Sequence, residues 1–401
     1  MNISMGVFEK MRLAYICRCC GSQDTGVSMK ISAQVEHLVK QGINAMAFSI
    51  CAEDNEYNSN RLIKPILIPG TENPRGIIGK IYREWHVNKA IMNIIPSLNK
   101  HDVIYLRIRY PSLKLSRILK QPRACKIVIE YQTIEPSEYR KKGKYWYLLP
   151  DILFGNDIRR YTDAIVGVTA EVTQYQVKRA GNPSKPHITI GNGFDVSSAP
   201  VRQPPLFTGK DLHILCVAIV HRGHGLDRLL HGIAGYVGPT KVTLHIAGRG
   251  AEVDNLLHLA KVLGIIENVV FHGFLKGKDL DMLFNKCHIG IGTLGLYRNG
   301  LREGSILKAR EYCSRGLPFL YDAIDLDFPP DFPYILHVPA DESPIDIEQV
   351  LAFAKEVYAD PDHPQKMRRY AEEHLDWSVK MRRLKGFLEA LVGENPGDIN
   401  Q

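Results

Sequence analysis

Between Gly300 and Phe319 the chain reads Gly-Leu-Arg-Glu-Gly-Ser-Ile-Leu-Lys-Ala-Arg-Glu-Tyr-Cys-Ser-Arg-Gly-Leu-Pro-Phe, with seven residues separating two carboxylates, Glu303 and Glu311. Carboxylates accept paired hydrogen bonds from vicinal hydroxyls, and charged acceptors make the stronger bonds. Ser305 is the expected N-cap of a helix that Gly316 and Pro318 stop after about three turns. Glu303 then precedes the helix and Glu311 rides on it, about 12 Å apart along the axis. That is too far to share a proton and well suited to holding two ends of one ligand. The free N–H groups of the helix start, at Gly304-Ser305, lie between them and attract anions. Carboxylate, anion hole and carboxylate outline a site for a sugar, a diphosphate and a ribose. Lys308 stands one turn along as an additional cation.

The elements that must position these residues come from alternating strand and helix patterns. Met11–Cys17 is a short apolar run. A polar loop follows from Arg18 to Val27, then an amphipathic stretch from Ser28 to Gln41 and a second strand over Asn44–Ser49. Strand, loop, helix and strand open a doubly wound α/β domain, whose ligands sit at the carboxyl ends of strands. The loop around Gly26 should therefore line a site, on the acceptor or the phosphate side, or form a plain tight turn. Asp102–Leu106 and Lys126–Glu130 read as buried strands. Glu130 stands at such a carboxyl end, as do Arg107 and Arg109. It is a candidate for acceptor binding, and a loop salt bridge is the alternative.

Tyr161–Thr169 and His187–Ile190 continue the pattern, and Asn192-Gly193 marks a sharp turn. Ser197–Phe207, rich in Pro and Ser, reads as a linker, and after it the α/β pattern restarts. His213–Val220 is a strand, His221-Arg-Gly-His-Gly225 a polar loop suited to a diphosphate, and Leu226–Ile233 a helix. Further strands lie at Lys241–Ala247, Asn268–Gly273 and Cys287–Thr293. Helices are expected over 345–358, 365–374 and 378–391. The expected organisation is an N-terminal domain over 1–196, a linker over 197–207 and a C-terminal domain over 208–377. The last helix, 378–401, packs back on the first domain.

At 401 residues, two or three domains can each bury a core. Apolar content of 45% and charged content of 23% are ordinary for a globular chain. A net charge of +8 favours anionic partners: nucleic acid, acidic headgroups or phosphorylated substrates. No apolar run approaches the roughly 18 residues of a spanning helix, and the N-terminus lacks a signal pattern, so a cytoplasmic location is expected. Eight cysteines, several within apolar strands, read as reduced core residues. Cys17, Cys19 and Cys20 include a Cys-x-x-Cys spacing without a second pair, and His221 with His224 lacks a third ligand, so no metal is expected. Arg140, Lys141, Lys142 and Lys144 precede Tyr145-Trp146-Tyr147, a mixture that suits an anionic membrane surface or a solvated face.

The Glu303/Glu311 stretch resembles the Glu-seven-Glu signature of retaining glycosyltransferases of the GT-B fold, in particular glycosyltransferase family 4. Gly191-Asn-Gly-Phe-Asp195 is similar to the segment ending the N-terminal half of those enzymes. Lys241–Gly250, Asn268–Phe274 and Cys287–Thr293 resemble, in order, the strands and turns that approach the nucleotide. The resemblance implies two Rossmann-like domains facing across a cleft. It further implies metal-free transfer of a hexose or N-acetylhexosamine from a nucleotide sugar to a glycan or lipid-linked acceptor, with retention, in bacterial surface-polysaccharide assembly. Nucleic acid is not an implied partner.

Under the resemblance Glu303 contacts the transferred sugar, Glu311 the ribose, and Gly248, Gly250, Phe274, Gly304 and Ser305 the rest of the donor. The chain departs from the family's Arg and Lys phosphate clamp. Those positions fall on Ile219 and His224, which leaves Arg222, His224 and Lys308 as candidate phosphate groups. A GT-B nucleotide-sugar epimerase and a non-catalytic basic binding protein stay open as alternatives.

Overall fold

The computed structural model describes residues 10–17, 26–51, 61–68, 76–98, 100–107, 111–141, 145 and 148–393; of 26, 51, 76–78, 80, 81, 84, 138 and 141 it describes the backbone alone. The chain forms two compact units, one of residues 1–190 with 377–401 and one of 191–376.

The first unit is built on seven strands: β1 (Arg12–Cys17), β2 (Asn44–Cys51), β3 (Ile63–Leu67), β4 (Val103–Arg107), β5 (Lys126–Tyr131), β6 (Ala164–Gly167) and β7 (His187–Thr189). They pair in the order β3-β2-β1-β4-β5-β6-β7, every pair parallel. Parallel sheets are covered on both faces, which is why Leu13 to Cys17 and Val103 to Leu106 are buried without alternation. The helix Gly26–Lys40 follows β1, and the C-terminal helix Trp377–Gly393 lies against it, with Gln41 Nε2 donating to Ser378 O at 2.7 Å. Trp377, Met381, Leu384 and Leu388 of that last helix are buried. Two helix starts are capped by Ser112 and Thr169, whose hydroxyls accept from the N–H groups of Leu115 and Val172.

The second unit has six strands: β8 (Asp211–Val217), β9 (Lys241–Ala247), β10 (Val269–Gly273), β11 (Ile289–Thr293), β12 (Phe319–Tyr321) and β13 (Ile335–His337). Their order is β10-β9-β8-β11-β12-β13, again parallel throughout. One face packs under the helices Leu226–Gly235 and Ile347–Tyr358, through Ile214, Leu229, Leu244, Val350 and Ala354. The other packs under Gly277–Lys286 and Leu307–Arg315, through Leu215, Phe284, Ala309 and Tyr312. Both units are therefore Rossmann-like, with the β1/β4 and β8/β11 neighbours marking the points where strand order reverses.

Residues 197–207 differ from the linker expected of them: they are fixed to the second unit. Arg202 is buried and donates to Gly316 O (2.8 Å), Cys287 O (2.6 Å) and Tyr358 Oη (2.8 Å), so the guanidinium anchors a stretch whose Pro and Ser content reads as loose. The change between units falls earlier, after Ile190, and Trp377 belongs with the first.

Candidate functional site

The residues with donor-site character gather at the carboxyl end of the second sheet, because each lies in the loop after a different parallel strand. Phe274 follows β10 and is half exposed. Gly248 and Gly250 follow β9, Arg222 and His224 follow β8, and Glu303, Gly304 and Ser305 follow β11. Backbone hydrogen bonds lace these loops together. Gly248 N donates to Gly273 O (2.6 Å), Val220 N to Arg249 O (2.8 Å), Leu294 N to His224 O (3.1 Å) and Asp322 N to Thr293 O (3.0 Å).

Two glycines are required by this lacing. Gly248 has φ +149° and a Cβ there would lie 1.8 Å from Ala218 O, while Gly225 has φ +65° and its Cβ would lie 2.5 Å from Leu294 O. Any side chain would push the loops apart.

Glu303 is half-buried and sits in a short parallel bridge to Ile324, with Gly304 N donating to Ile324 O at 2.9 Å and Ile324 N to Arg302 O at 3.0 Å. The backbone of β12's exit strap thus fixes where the carboxylate projects. Ser305 is not the N-cap expected of it. The helix runs Leu307–Arg315 from an N-cap at Ile306 that lacks a side-chain hydrogen bond. The Ser305 hydroxyl instead accepts from Asn192 N at 2.6 Å, and Asn192 Nδ2 donates to Ser305 O. Arg310 adds a bond to Asn192 O (3.0 Å) and is itself buried between Asp325 and Asp327. A tertiary partner has taken the oxygen that local sequence offers to the helix.

Glu311 lies in the second turn, held by Arg315 Nε at 2.9 Å, and Arg315 reaches on to Asp281 at 2.6 Å. Burial raises the Glu311 carboxyl above its ordinary value, opposed by the Arg315 charge. Gly316 closes the helix in the left-handed region, φ +77°, as its type predicts.

The three candidate phosphate groups prove unlike one another. Arg222 is exposed. His224 is desolvated and faces the Lys308 charge and His221, and all three effects hold its pKa far below the ordinary imidazole value. It is a neutral ring. His221 N–H donates to its Nδ1 at 3.4 Å, so the proton sits on Nε2, which offers one hydrogen bond and no charge. Lys308 is buried, 9% exposed, with Nζ 4.0 Å from Cys216 Sγ, and among the described residues it forms no ion pair. Burial depresses its pKa, partly offset by Cys216 and Asp322. A desolvated cation without an ion pair at the positive end of a helix is unfavourable, and a bound anion would offset that cost.

Some residues that shape the site gave no signal in type or spacing. Arg298 forks onto Asp227 with two 2.8 Å bonds and donates to Arg222 O at 3.0 Å, strapping the 222–225 loop. Within Tyr297-Arg-Asn-Gly300 it reads as a surface turn. Asp322 accepts from Leu296 N at 2.8 Å and holds the loop after β11 to the one after β12. Arg310 would have been visible only as a cation on an otherwise buried helix face.

On the acceptor side, Glu130 is a structural group. It is 3% exposed and takes a salt bridge from Lys30 (2.8 Å), a hydrogen bond from the Tyr15 hydroxyl (2.9 Å) and another from Gln132. Burial alone would raise its pKa, but Lys30, Arg107 and the hydrogen bonds outweigh it and hold the carboxyl at about 2. Both of its oxygens are engaged within the first unit, Oε1 by Lys30 and Gln132 and Oε2 by Tyr15, so at this strand end the structure shows a buried salt bridge, the alternative to the acceptor-binding role. Gly26 begins the helix after β1, with its backbone alone described. Arg109, Lys142, Lys144 and Trp146 lie outside the described residues; Lys141 is described by backbone alone, and Arg140 is exposed. Among the described residues, no cluster of three or more His, Cys, Asp or Glu side chains could hold a metal ion.

Residues 199–321 match the model of the family described as glycosyl transferases group 1. No curated protein matches the chain by sequence. Solved structures match it over nearly its whole length. Sucrose-phosphate synthase from Thermosynechococcus elongatus is 14% identical, with 95% of this chain and 99% of that one covered and a TM-score of 0.68. The lipopolysaccharide outer core galactosyltransferase WaaB is 15% identical, with 95% and 99% covered and a TM-score of 0.62. HepE from Anabaena, solved with UDP-glucose, is 12% identical, with 95% and 100% covered and a TM-score of 0.62. The fold is GT-B, and the family match over the second unit supports a glycosyltransferase.

Proposed function

We propose that the chain is a retaining glycosyltransferase that moves a hexose or N-acetylhexosamine from a nucleotide sugar to a glycan or lipid-linked acceptor, without a metal. What supports this reading is that the loops carrying Arg222, Gly248, Phe274 and Glu303 all follow strands at the carboxyl end of one parallel sheet, with Lys308 and Glu311 on the helix that comes next, and that all of these lie inside the stretch the family model matches. That HepE was solved with UDP-glucose supports a nucleotide-sugar donor, and the likeness to WaaB, a lipopolysaccharide outer core galactosyltransferase, supports a role in surface polysaccharide.

In such a transfer negative charge grows on the leaving diphosphate while the sugar becomes oxocarbenium-like, so groups already in place do most of the work. Lys308 and Arg222 supply positive charge to the diphosphate, and neutral His224 donates one hydrogen bond through Nε2. Glu303 accepts from sugar hydroxyls, and Glu311, oriented by Arg315, accepts from the ribose.

The test is a panel of UDP, GDP, ADP and dTDP sugars, followed by thermal shift and by NMR of the released sugar with EDTA present. Selective stabilisation and slow release of a sugar with retained configuration support the reading. A new sugar nucleotide formed without acceptor would make the chain an epimerase, and silence across the panel would leave a binding protein. Glu303→Gln keeps size and removes charge, and it should lower kcat/KM by at least about tenfold, roughly 1.4 kcal/mol of transition-state stabilisation. A smaller loss removes Glu303 from the role given to it.

A further inference from the structure

The turn that carries Glu303 is gripped by a residue from a distant part of the chain. Asn192 stands just past Ile190, where the chain passes from the first unit to the second, and 113 residues before Ser305. Two of its groups hold Ser305: the backbone N–H donates to Oγ at 2.6 Å, and Nδ2 donates to the carbonyl oxygen. A carbonyl oxygen only accepts, so the nitrogen end of the Asn192 amide is the end that must face it. The grip is itself anchored. Arg310 Nε donates to Asn192 O at 3.0 Å, and the Arg310 guanidinium is fixed by Asp325 and, at 2.6 Å, by Asp327. Gly191 completes the fit, since a Cβ there would lie 2.1 Å from Asp327 Oδ2 and 3.0 Å from Ser305 Oγ.

This grip decides which groups of the turn stay available. Gly304 N–H is spent on Ile324 O at 2.9 Å, and Asn192 engages both oxygens of Ser305. The Ser305 N–H has no partner among the described residues, although Ser305 is only 9% exposed. Backbone donors in buried residues are nearly always paired, so an open one two residues from a carboxylate marks a place for a ligand oxygen.

We propose that Asn192 is a positioning residue for sugar transfer: by clamping Ser305 on both oxygens it sets the open Ser305 N–H and the Glu303 carboxylate in the arrangement that takes the sugar end of the donor. The proposal rests on the transferase reading, because it is Glu303 and its turn that Asn192 acts through. Misplacing a positioned group by about 1 Å can cost up to about a hundredfold in rate, so a clamp remote from the donor can still govern turnover.

The test uses the full chain and the nucleotide sugar that stabilises the wild type most in the panel above, starting with UDP-glucose. Asn192→Ala should lower kcat by at least about fivefold, and Asn192→Asp, which keeps size but cannot donate to Ser305 O, should do the same. In the Glu303→Gln background Asn192→Ala should cost less than about twofold, because the carboxylate it places is gone. Hydrogen exchange in a peptide spanning 301–309 should speed up in Asn192→Ala while peptides of β8 and β9 keep their wild-type rates. An equal loss in both backgrounds makes Asn192 a packing group and overturns the proposal. So does unchanged exchange over 301–309, and so does wild-type turnover by Asn192→Ala under conditions where Glu303→Gln is slowed. Failure of the transferase reading looks different: the wild type turns over no nucleotide sugar, whatever the exchange rates, and the proposal then falls with it.

Discussion

Lys308 is the residue at which stability and the proposed function pull against each other. It is desolvated, lacks an ion pair among the described residues and stands in the first turn of the helix Leu307–Arg315, where the helix dipole already presents positive charge. Buried charge without a partner costs several kcal/mol, so removing it should stabilise the empty protein. Lys308→Met is expected to raise the thermal midpoint without nucleotide and to weaken the binding of a nucleoside diphosphate by at least about tenfold, or roughly 1.4 kcal/mol. The corresponding nucleoside, which lacks phosphate, should bind the variant and the wild type alike. A lower midpoint with unchanged diphosphate affinity would make Lys308 a packing group.

At the scale of elements, Glu130 shows how a strand end can look like a site and be a keystone. Lys30 from the first helix, Tyr15 from β1 and Gln132 after β5 all converge on its carboxylate. Glu130→Ala leaves Lys30 buried without its counterion, and the expected loss of about 3–5 kcal/mol appears as an earlier denaturant midpoint. An acceptor role would instead lower activity at unchanged stability. The pH dependence has a definite sign. The folded pKa lies at about 2, below the ordinary glutamate value of 4.5, so the Glu130 contribution is complete above the unfolded pKa and is lost as pH falls from there toward 2.

The same contrast explains how far the sequence could be read. Buried parallel strands such as Lys126–Tyr131 and Lys241–Ala247 announce themselves as apolar runs, and helix stops such as Gly316 need only local geometry. Ser305 misleads because its hydroxyl serves Asn192, 113 residues away, and residues 197–207 mislead because one buried guanidinium, Arg202, ties them down. Short strands such as β12 and β13, three residues each, carry too little pattern to be seen. Helices Leu113–Lys120 and Gly277–Lys286 mix polar and apolar residues in short runs, and only the surface they cover reveals their role.

Across the molecule, the unusual chemical feature is a row of histidines over adjacent strands of the second unit. His213 Nδ1 lies 3.0 Å from His245 Nε2, His245 Nδ1 lies 3.0 Å from His272 Nε2, and His213 N donates to His288 Nδ1 at 3.0 Å. A neutral imidazole has one donor and one acceptor, so when all three rings are neutral the donors run in one direction along the chain. Burial, with the Lys286 charge and the neighbouring rings, opposes protonating His245. Burial lowers all four pKa values, with His245 down to about 3 and His288 to about 4; the Lys286 charge adds to this at His213, His245 and His272. Groups with depressed folded pKa bind more protons when unfolded, so stability falls as pH drops below the unfolded value near 6.5. Each such histidine adds up to about 1.4 kcal/mol per pH unit while the unfolded ring is charged and the folded ring is not. These histidines should therefore make thermal stability fall as pH drops from 6.5 toward 4. Hydrogen exchange at pH 5 should show β8, β9 and β10 deprotected ahead of β1, β4 and β5. His245→Gln keeps one donor and one acceptor without the titration, and it should flatten the slope of midpoint against pH. An unchanged slope in that variant would place the acid sensitivity elsewhere in the chain.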